Sequence, residues 1–340
     1  MKKVVITAFG DESQLAIVES DLPGPAAGEV QVSVEYTIVS GSDVNMRRGT
    51  YPFQRKPPLT PGYSVLGRVR LNGNGAPIFK VGDRVACLSK YGGQAELINL
   101  PERFLVRVPE DVDGKAAVAL VLDWVTAYQM LHRVAHIRAG QKIFVHALSG
   151  AVGGALLRLA LVHGVEVFGT ASSKKHDELR QLGAVPFDYS NKNWIAAMQK
   201  LGGADAVFDP LGFESFDESY SVLKRGGVLV GYGLNLPAWT GTPSRPMIPA
   251  VLKLFSKNLL FWSGKRTTFF GVNRASKYFN ADLELLFEWL KSEKISVPIK
   301  ATFKLDEIQQ AHREYASSGR MGSIVIEVSR ADNTPPPSPR

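Results

Sequence analysis

The sequence predicts an α/β protein in two parts, an irregular β-barrel over the first 110 or so residues followed by a doubly wound parallel sheet. Three observations carry this expectation. A chain of 340 residues leaves room for about two domains of roughly 150 residues. The early segments are short β-prone runs separated by Gly, Pro and Asn turns. From about Asp113 onward, strands and helices alternate, which is the sequence pattern of repeated βαβ units.

Taken in order, KKVVITAF, QVSVEYTIV, SVLGRVRL, RVACL and GQAELINL are the barrel strands, broken by turns such as Leu22-Pro23-Gly24-Pro25 and Asn72-Gly73-Asn74-Gly75. The apolar stretch AAVALVLDWVTAYQMLHRVA reads as a helix and leads into the alternating part. There KIFVHAL, EVFGTA, DAVFDPLG, VLVGYG and finally NLLFWSG are the strands, with VGGALLRLALVHG, KHDELRQLG and SFDESYSVLKRGG as the helices between them. After about Gly264 come an amphipathic helix, ASKYFNADLELLFEWLKSE, and a strand-helix-strand tail of PIKATF, DEIQQAHREYASSG and GSIVIEV. The last ten residues, ADNTPPPSPR, have the composition of a disordered tail.

Composition narrows the function classes. Hydrophobic residues make up 45% and charged residues 21%, the balance of a globular chain. The single cysteine, Cys87, permits neither an internal disulfide nor a four-cysteine zinc site, and it suits a reducing, cytoplasmic setting. No apolar h-region opens the chain and no run reaches ~18 apolar residues, so neither secretion nor a membrane partner is expected. The net charge of +8 is spread over short clusters, with no tract or aromatic interleaving that would point to nucleic acid.

The strongest local signal is KIFVHALSGAVGGALLRLA, a buried-type strand running into a small-residue turn and an apolar helix. A dinucleotide's phosphates need close backbone approach and free N–H groups at a helix start. Gly150 and Gly153 supply the clearance, Ala147 stands where a first glycine would, and Ser149, Ala151 and Val152 complete the candidate turn. The second strand ends at Thr170 and not at the carboxylate that would receive a ribose 2′-hydroxyl. Ser172, Lys174, Lys175 and, further on, Tyr189 offer donors and positive charge for a 2′-phosphate, which points to NADPH. One charge-assisted contact is worth roughly 1.5–3 kcal/mol. The plain alternative for the two lysines is an exposed helix start, where cations oppose the dipole.

These parts, in this order, resemble the zinc-free, quinone oxidoreductase-like and enoyl reductase-like branch of the medium-chain dehydrogenase/reductase superfamily. The resemblance covers residues 1 to 328. It rests on Ser42-Asp43 through Arg47, Gly49 and Tyr51; Pro61-Gly62 and Gly67; Gly82-Asp83-Arg84-Val85; Gly92-Gly93 with Ala95-Glu96; Thr126-Ala127-Tyr128; the glycine turn; and Gly322. It implies a GroES-like catalytic domain over residues 1–122 and 265–330, an inserted Rossmann domain over 123–264, and the tail at 331–340. Zinc members carry a Cys and a His-Glu pair where this chain has Ser40 and Tyr63-Ser64, so no thiolate or imidazole is offered to a metal there.

Hydride transfer without a Lewis acid requires an acceptor that is already electron-poor, which the resemblance identifies as a quinone or a conjugated carbonyl. It places Tyr51 at the pocket mouth as the candidate proton donor, with Ser40, in place of the branch's usual Asn, beside cofactor and substrate. An aromatic core role for Tyr51 is the other reading. Asp43 has a capping alternative, and Arg47 could pair with it on the surface. Thr126 is implied to face the nicotinamide, and Gly231 and Gly233 to let the dinucleotide pass. Asp209 reads as a turn-former and His146 as a residue bonded locally. The Trp-, Phe- and Pro-rich segment 235–272, with Trp239, Phe269 and Phe270, forms either a pocket wall or the interface of an expected homodimer. The alternative to an enzyme is a cofactor-binding protein with little redox turnover.

Overall fold

The computed structural model describes residues 1–243, 245–316 and 321–328, leaving out the side chain of Trp239. The expectations for Trp239 as a pocket wall and for a disordered 331–340 tail fall outside the described residues. The chain forms two compact units, one of Met1–Val125 with the residues from Asn273 to Ala316 and 322–328, the other of Thr126–Val272 with Met321.

In the first unit, β1 (Lys2–Ile6) and β2 (Leu15–Glu19) make an antiparallel pair. The main sheet has the order β14 (Ile299–Lys304), β15 (Ser323–Glu327), β3 (Glu29–Val39), β4 (Ser64–Asn72), β5 (Arg84–Leu88) and β7 (Val106–Arg107), and β6 (Leu97–Pro101) also pairs with β3. Close backbone approach explains two of its glycines. A Cβ on Gly67 would lie 2.0 Å from the Ser33 carbonyl oxygen, at a register shift between β3 and β4. One on Gly62, at φ 111°, would lie 2.2 Å from the Gln94 nitrogen. The unit also contains α1 (Gly41–Arg48) and α2 (Gly114–Ala119).

In the second unit, six parallel strands run in the order β10 (Val185–Asp188), β9 (Glu166–Ala171), β8 (Lys142–Val145), β11 (Ala204–Asp209), β12 (Leu223–Gly231) and β13 (Arg266–Phe269). Counted from β8, this is the doubly wound order 3-2-1-4-5-6, whose direction reverses between β8 and β11. Helices α3 (Val125–Tyr128), α4 (Ala151–Val162), α5 (His176–Gln181), α6 (Asn193–Lys200), α7 (Ser215–Ser221), α8 (Leu236–Thr240) and α9 (Met247–Ser256) follow the chain. Of these, α3 begins on the last residue of the first unit. The helices α10 (Phe279–Lys291) and α11 (Ile308–Ala316) belong to the first unit. A core of Phe144, Trp194, Phe216, Leu229 and Leu254 fills the space behind the sheet.

Three details differ from the sequence reading. The stretch from Gly114 to Val134 is not a uniform α-helix, because wide π-type turns over Leu120–Trp124 and Gln129–Val134 interrupt it. The sixth strand is Arg266–Phe269 and not NLLFWSG, whose residues form two 3₁₀ turns at Lys257–Leu259 and Phe261–Ser263. Since β13 pairs with β12, residues 265–272 stay with the parallel sheet, and the passage back to the first unit falls at Val272–Asn273 instead of after 264.

Candidate functional site

The glycine turn forms a cradle. Strand β8 ends at Val145, Ala147 takes a left-handed conformation at φ 58°, and Gly150 caps α4 in extended backbone. A Cβ on Gly153 would sit 2.2 Å from the Ala147 carbonyl oxygen, an overlap with backbone that nothing could relieve cheaply. A Cβ on Gly150 would come within 3.1 Å of the same oxygen. The first helical bond of α4 is Gly154 N–H to the Gly150 carbonyl at 2.7 Å, so the N–H groups of Ala151, Val152 and Gly153 precede the ladder. Just beyond Ser149, they open a twelve-residue helix at the sheet's switch point, the geometry in which backbone N–H groups receive phosphate.

A buried polar network lies beside this turn. His146 is 3% exposed, with Nδ1 3.1 Å from Thr170 Oγ1 and Nε2 3.0 Å from Ser219 Oγ. Ser219 and Ser215 donate to Asp209 Oδ2 at 2.7 and 2.8 Å, and the Leu211 and Gly212 amides donate to Oδ1. Burial holds the His146 pKa below the ordinary histidine value, against the pull of Asp209. His146 and Asp209 are thus local bonding partners, and Asp209 does form the turn. Thr170 corrects the sequence reading: it is 2% exposed and its hydroxyl is taken by His146, so it is no free donor for a 2′-phosphate.

The other candidates for that phosphate meet at one end of the sheet. Strands β9 and β10 run parallel with Ala171 opposite Asp188, and the Tyr189 amide donates to the Ala171 carbonyl. This brings Tyr189 beside Ser172, which opens the 3₁₀ turn Ser173–Lys175. The Lys175 ammonium lies 2.8 Å from Glu178 and is 23% exposed, so its charge is shared but reachable. Thr126, in α3, is buried and its Oγ1 has no hydrogen-bond partner among the described residues. A nicotinamide dinucleotide fits these residues, since the N–H groups ahead of the α4 ladder and the unpartnered Thr126 hydroxyl are both available to a polar group.

Gly231 and Gly233 have reasons inside the domain. A Cβ on Gly231 would strike the Phe216 ring at 2.8 Å, and one on Gly233 the Pro210 carbonyl at 2.5 Å. Packing accounts for both glycines without a dinucleotide.

In the first unit, Tyr51 Oη lies 2.9 Å from Tyr63 Oη, with the rings edge to face at 6.1 Å. Burial pushes both phenol pKa values up, and for Tyr51 the neighbouring Tyr63 adds to the shift. The Lys90 ammonium sits 5.7 Å from the Tyr51 and Tyr91 rings, and the buried Tyr91 hydroxyl has no partner among the described residues. Tyr63 was not singled out in the sequence as a partner of Tyr51. Its signal was there, a hydroxyl where zinc relatives place a metal ligand.

Ser40 corrects the second expectation. It is the N-cap of α1, 2% exposed: its Oγ donates to Asp43 Oδ2 at 2.6 Å and accepts the Asp43 amide at 3.2 Å. Asp43 in turn accepts the Ser40 and Gly62 amides, and burial still drives its pKa up. Both groups are committed to holding α1 against the Pro61-Gly62 turn. Arg47 is buried and lies 3.6 Å from Glu12, not paired with Asp43 on the surface. Cys87 is fully buried, its thiol pushed up to about 12. No group of three His, Cys, Asp or Glu that could hold a metal ion occurs among the described residues.

Comparison with known proteins adds an independent line. Residues 26–110 match the alcohol dehydrogenase GroES-like domain family and residues 182–326 the zinc-binding dehydrogenase family. The human synaptic vesicle membrane protein VAT-1 homolog-like is 28% identical, the match covering 99% of this chain and 82% of that protein. Quinone oxidoreductase of Rattus norvegicus is 28% identical over 96% of this chain and 97% of its own length. A mycobacterial protein solved in complex with NADPH superposes with a TM-score of 0.83 at 28% identity, covering 96% of this chain and 99% of that one.

Proposed function

This chain belongs to the medium-chain dehydrogenase/reductase superfamily, and on that premise we propose that it is an NADPH-dependent, metal-independent reductase of quinones or activated C=C bonds. The observation that supports the reading is the start of α4, where the Ala151, Val152 and Gly153 N–H groups precede the helical ladder at the sheet's switch point and can receive a phosphate. The similarity to a protein solved with NADPH supports the choice of cofactor, as do Ser172, Lys175 and Tyr189 at one edge of the sheet.

NADPH, when bound, supplies the hydride. The chain's residues hold and polarise. The N–H groups at the start of α4 would receive the pyrophosphate, Thr126 Oγ1 a polar group of the nicotinamide half, and Lys175 the 2′-phosphate. The Tyr51–Tyr63 hydroxyl pair would donate a hydrogen bond to the oxygen of a conjugated carbonyl or quinone as negative charge develops there. Because both phenols have raised pKa values, they stay protonated at neutral pH and remain donors. Ser40 and Asp43 act as positioning residues for α1, three residues ahead of Tyr51. Metal independence is supported by Ser40 and Tyr63, whose hydroxyls stand bonded to protein groups where zinc relatives have ligands. A cytoplasmic place suits the one buried thiol.

The test is consumption of NADPH against NADH by the pure protein with a panel of quinones and enones, the products identified by mass. Faster turnover with NADPH and a quinol or saturated carbonyl product is expected. Tight NADPH binding with no oxidation by any acceptor would favour a cofactor-binding protein, and no NADPH binding would refute the cradle.

A further inference from the structure

Unpaired cations surround the tyrosine pair of the first unit. Between Asp43 and Asp83 the chain has seven Lys or Arg and no Asp or Glu, and between Asp83 and Glu96 it adds Arg84 and Lys90. Arg47, Arg68 and Arg84 lie against carboxylates of other segments. Arg55 and Lys90 are exposed and pair with no carboxylate among the described residues.

Both of these cations reach the tyrosines. The Lys90 ammonium lies 5.7 Å from the centres of the Tyr51 and Tyr91 rings, and the Arg55 guanidinium 5.2 Å from that of Tyr91. Backbone bonds fix this placement. The Ser89 and Lys90 amides donate to the Tyr63 carbonyl, and the Gly92, Gly93 and Gln94 amides to those of Thr60, Gly62 and Pro61. The turn that carries Lys90 and Tyr91 is thereby tied to the segment that carries Tyr63. Lys90 itself is left-handed at φ 70°, an uncommon conformation for a residue with a side chain.

A cation over an aromatic face gains modestly where water reaches it, and the contact leaves ammonium N–H groups free to bind an anion. The buried Tyr91 hydroxyl, without a partner among the described residues, adds a polar group at the same place. Asp43, whose charge acts on both phenols, is buried with its oxygens bonded to Ser40 and Gly62, so it does not neutralise Lys90.

We propose that Lys90 and Arg55 select an acceptor bearing an acid group, a conjugated carbonyl or quinone whose carboxylate meets Lys90 while its carbonyl oxygen meets the Tyr51–Tyr63 pair. The inference rests on the reductase reading of the same site and names its substrate class. Reduction of an enone acid breaks the C=C π bond and forms two C–H bonds, one with the hydride of NADPH, which leaves as NADP⁺, and one with a proton from water.

The test pairs (E)-4-oxopent-2-enoate with its methyl ester, the same carbon skeleton without the charge. Binding of each to the full chain is measured by calorimetric titration without NADPH, and reduction of each with NADPH by steady-state kinetics. The acid should bind about tenfold or more tighter than the ester, by a margin that shrinks as salt is added. Lys90→Gln should remove most of that margin by weakening the acid alone, and Lys90→Arg should keep it. Both variants should retain the wild-type thermal midpoint, because the side chain is exposed. Lys56→Gln, at an exposed lysine with no ring contact, should leave the margin within about twofold. Equal binding of acid and ester, or an unchanged margin in Lys90→Gln, would overturn the proposal and leave the cations as ring contacts only. If both compounds are then reduced equally, the reductase reading survives that failure. A Lys90-dependent preference for the acid in binding, with neither compound reduced, would refute the reductase reading and leave the selection of an anion standing.

Discussion

Lowering the pH from about 8 to about 5 should destabilise this protein by about 2 kcal/mol through one side chain, His312. Its imidazole is fully buried in α11, both ring nitrogens lack a partner among the described residues, and burial with the nearby Arg47 guanidinium holds its pKa down to about 3. In the unfolded chain the same group has a pKa near 6.5. The folded value is depressed, so its stabilising contribution is complete above about pH 6.5 and is lost as pH falls toward 3. At about pH 5 the unfolded histidine is almost wholly protonated and the folded one neutral. About 1.5 pH units at 1.36 kcal/mol each give the ~2 kcal/mol. The assay is urea unfolding of the wild type and His312→Asn at three pH values across that range. The variant starts less stable, but its loss between pH 8 and 5 should be smaller by about 2 kcal/mol. His146, depressed in the same direction, is common to both proteins and cancels. Equal losses in the two proteins would refute the argument.

Four further outcomes are expected. Gly153→Ala forces a methyl to 2.2 Å from the Ala147 oxygen, and NADPH affinity by fluorescence titration should drop by about tenfold or more, with about 1–3 kcal/mol of stability lost. Lys175→Ala should weaken NADPH by roughly ten- to a hundredfold and leave NADH unchanged, a difference read in paired titrations. Tyr63→Phe should keep the fold and KM while kcat with a quinone falls by about ten- to a hundredfold, which steady-state kinetics decides. Ser40→Ala should cost about 1–2 kcal/mol in denaturant unfolding through the lost cap and the weakened anchoring of Asp43, with turnover per folded molecule largely kept.

The parallel sheet was the most legible part of the sequence, because β8, the glycine turn and α4 agree in periodicity, small-residue placement and length. Strand β10 carries little sequence signal, since VPFD is short and holds Pro186 at a sheet edge. The apolar, β-prone composition of NLLFWSG predicts the sixth strand, yet its large apolar side chains are exposed and the less apolar RTTF pairs instead. The Ser40 cap could have been found, as Ser-Gly-Ser-Asp has the spacing of a capping box. The Tyr51–Tyr63 bond could not. It joins residues on separate segments, and only the tertiary fold sets their hydroxyls 2.9 Å apart.

The chain of bonds beside the glycine turn has a direction. Ser219 gives its proton to Asp209, so its oxygen must accept from His146, which places the imidazole hydrogen on Nε2 and leaves Nδ1 bare. Thr170 then spends its proton on Nδ1. Every hydrogen in the line points inward to one carboxylate, and the last oxygen at the sheet's end is left with lone pairs alone. Whatever meets Thr170 must bring its own proton, as a ribose hydroxyl does and a phosphate dianion does not.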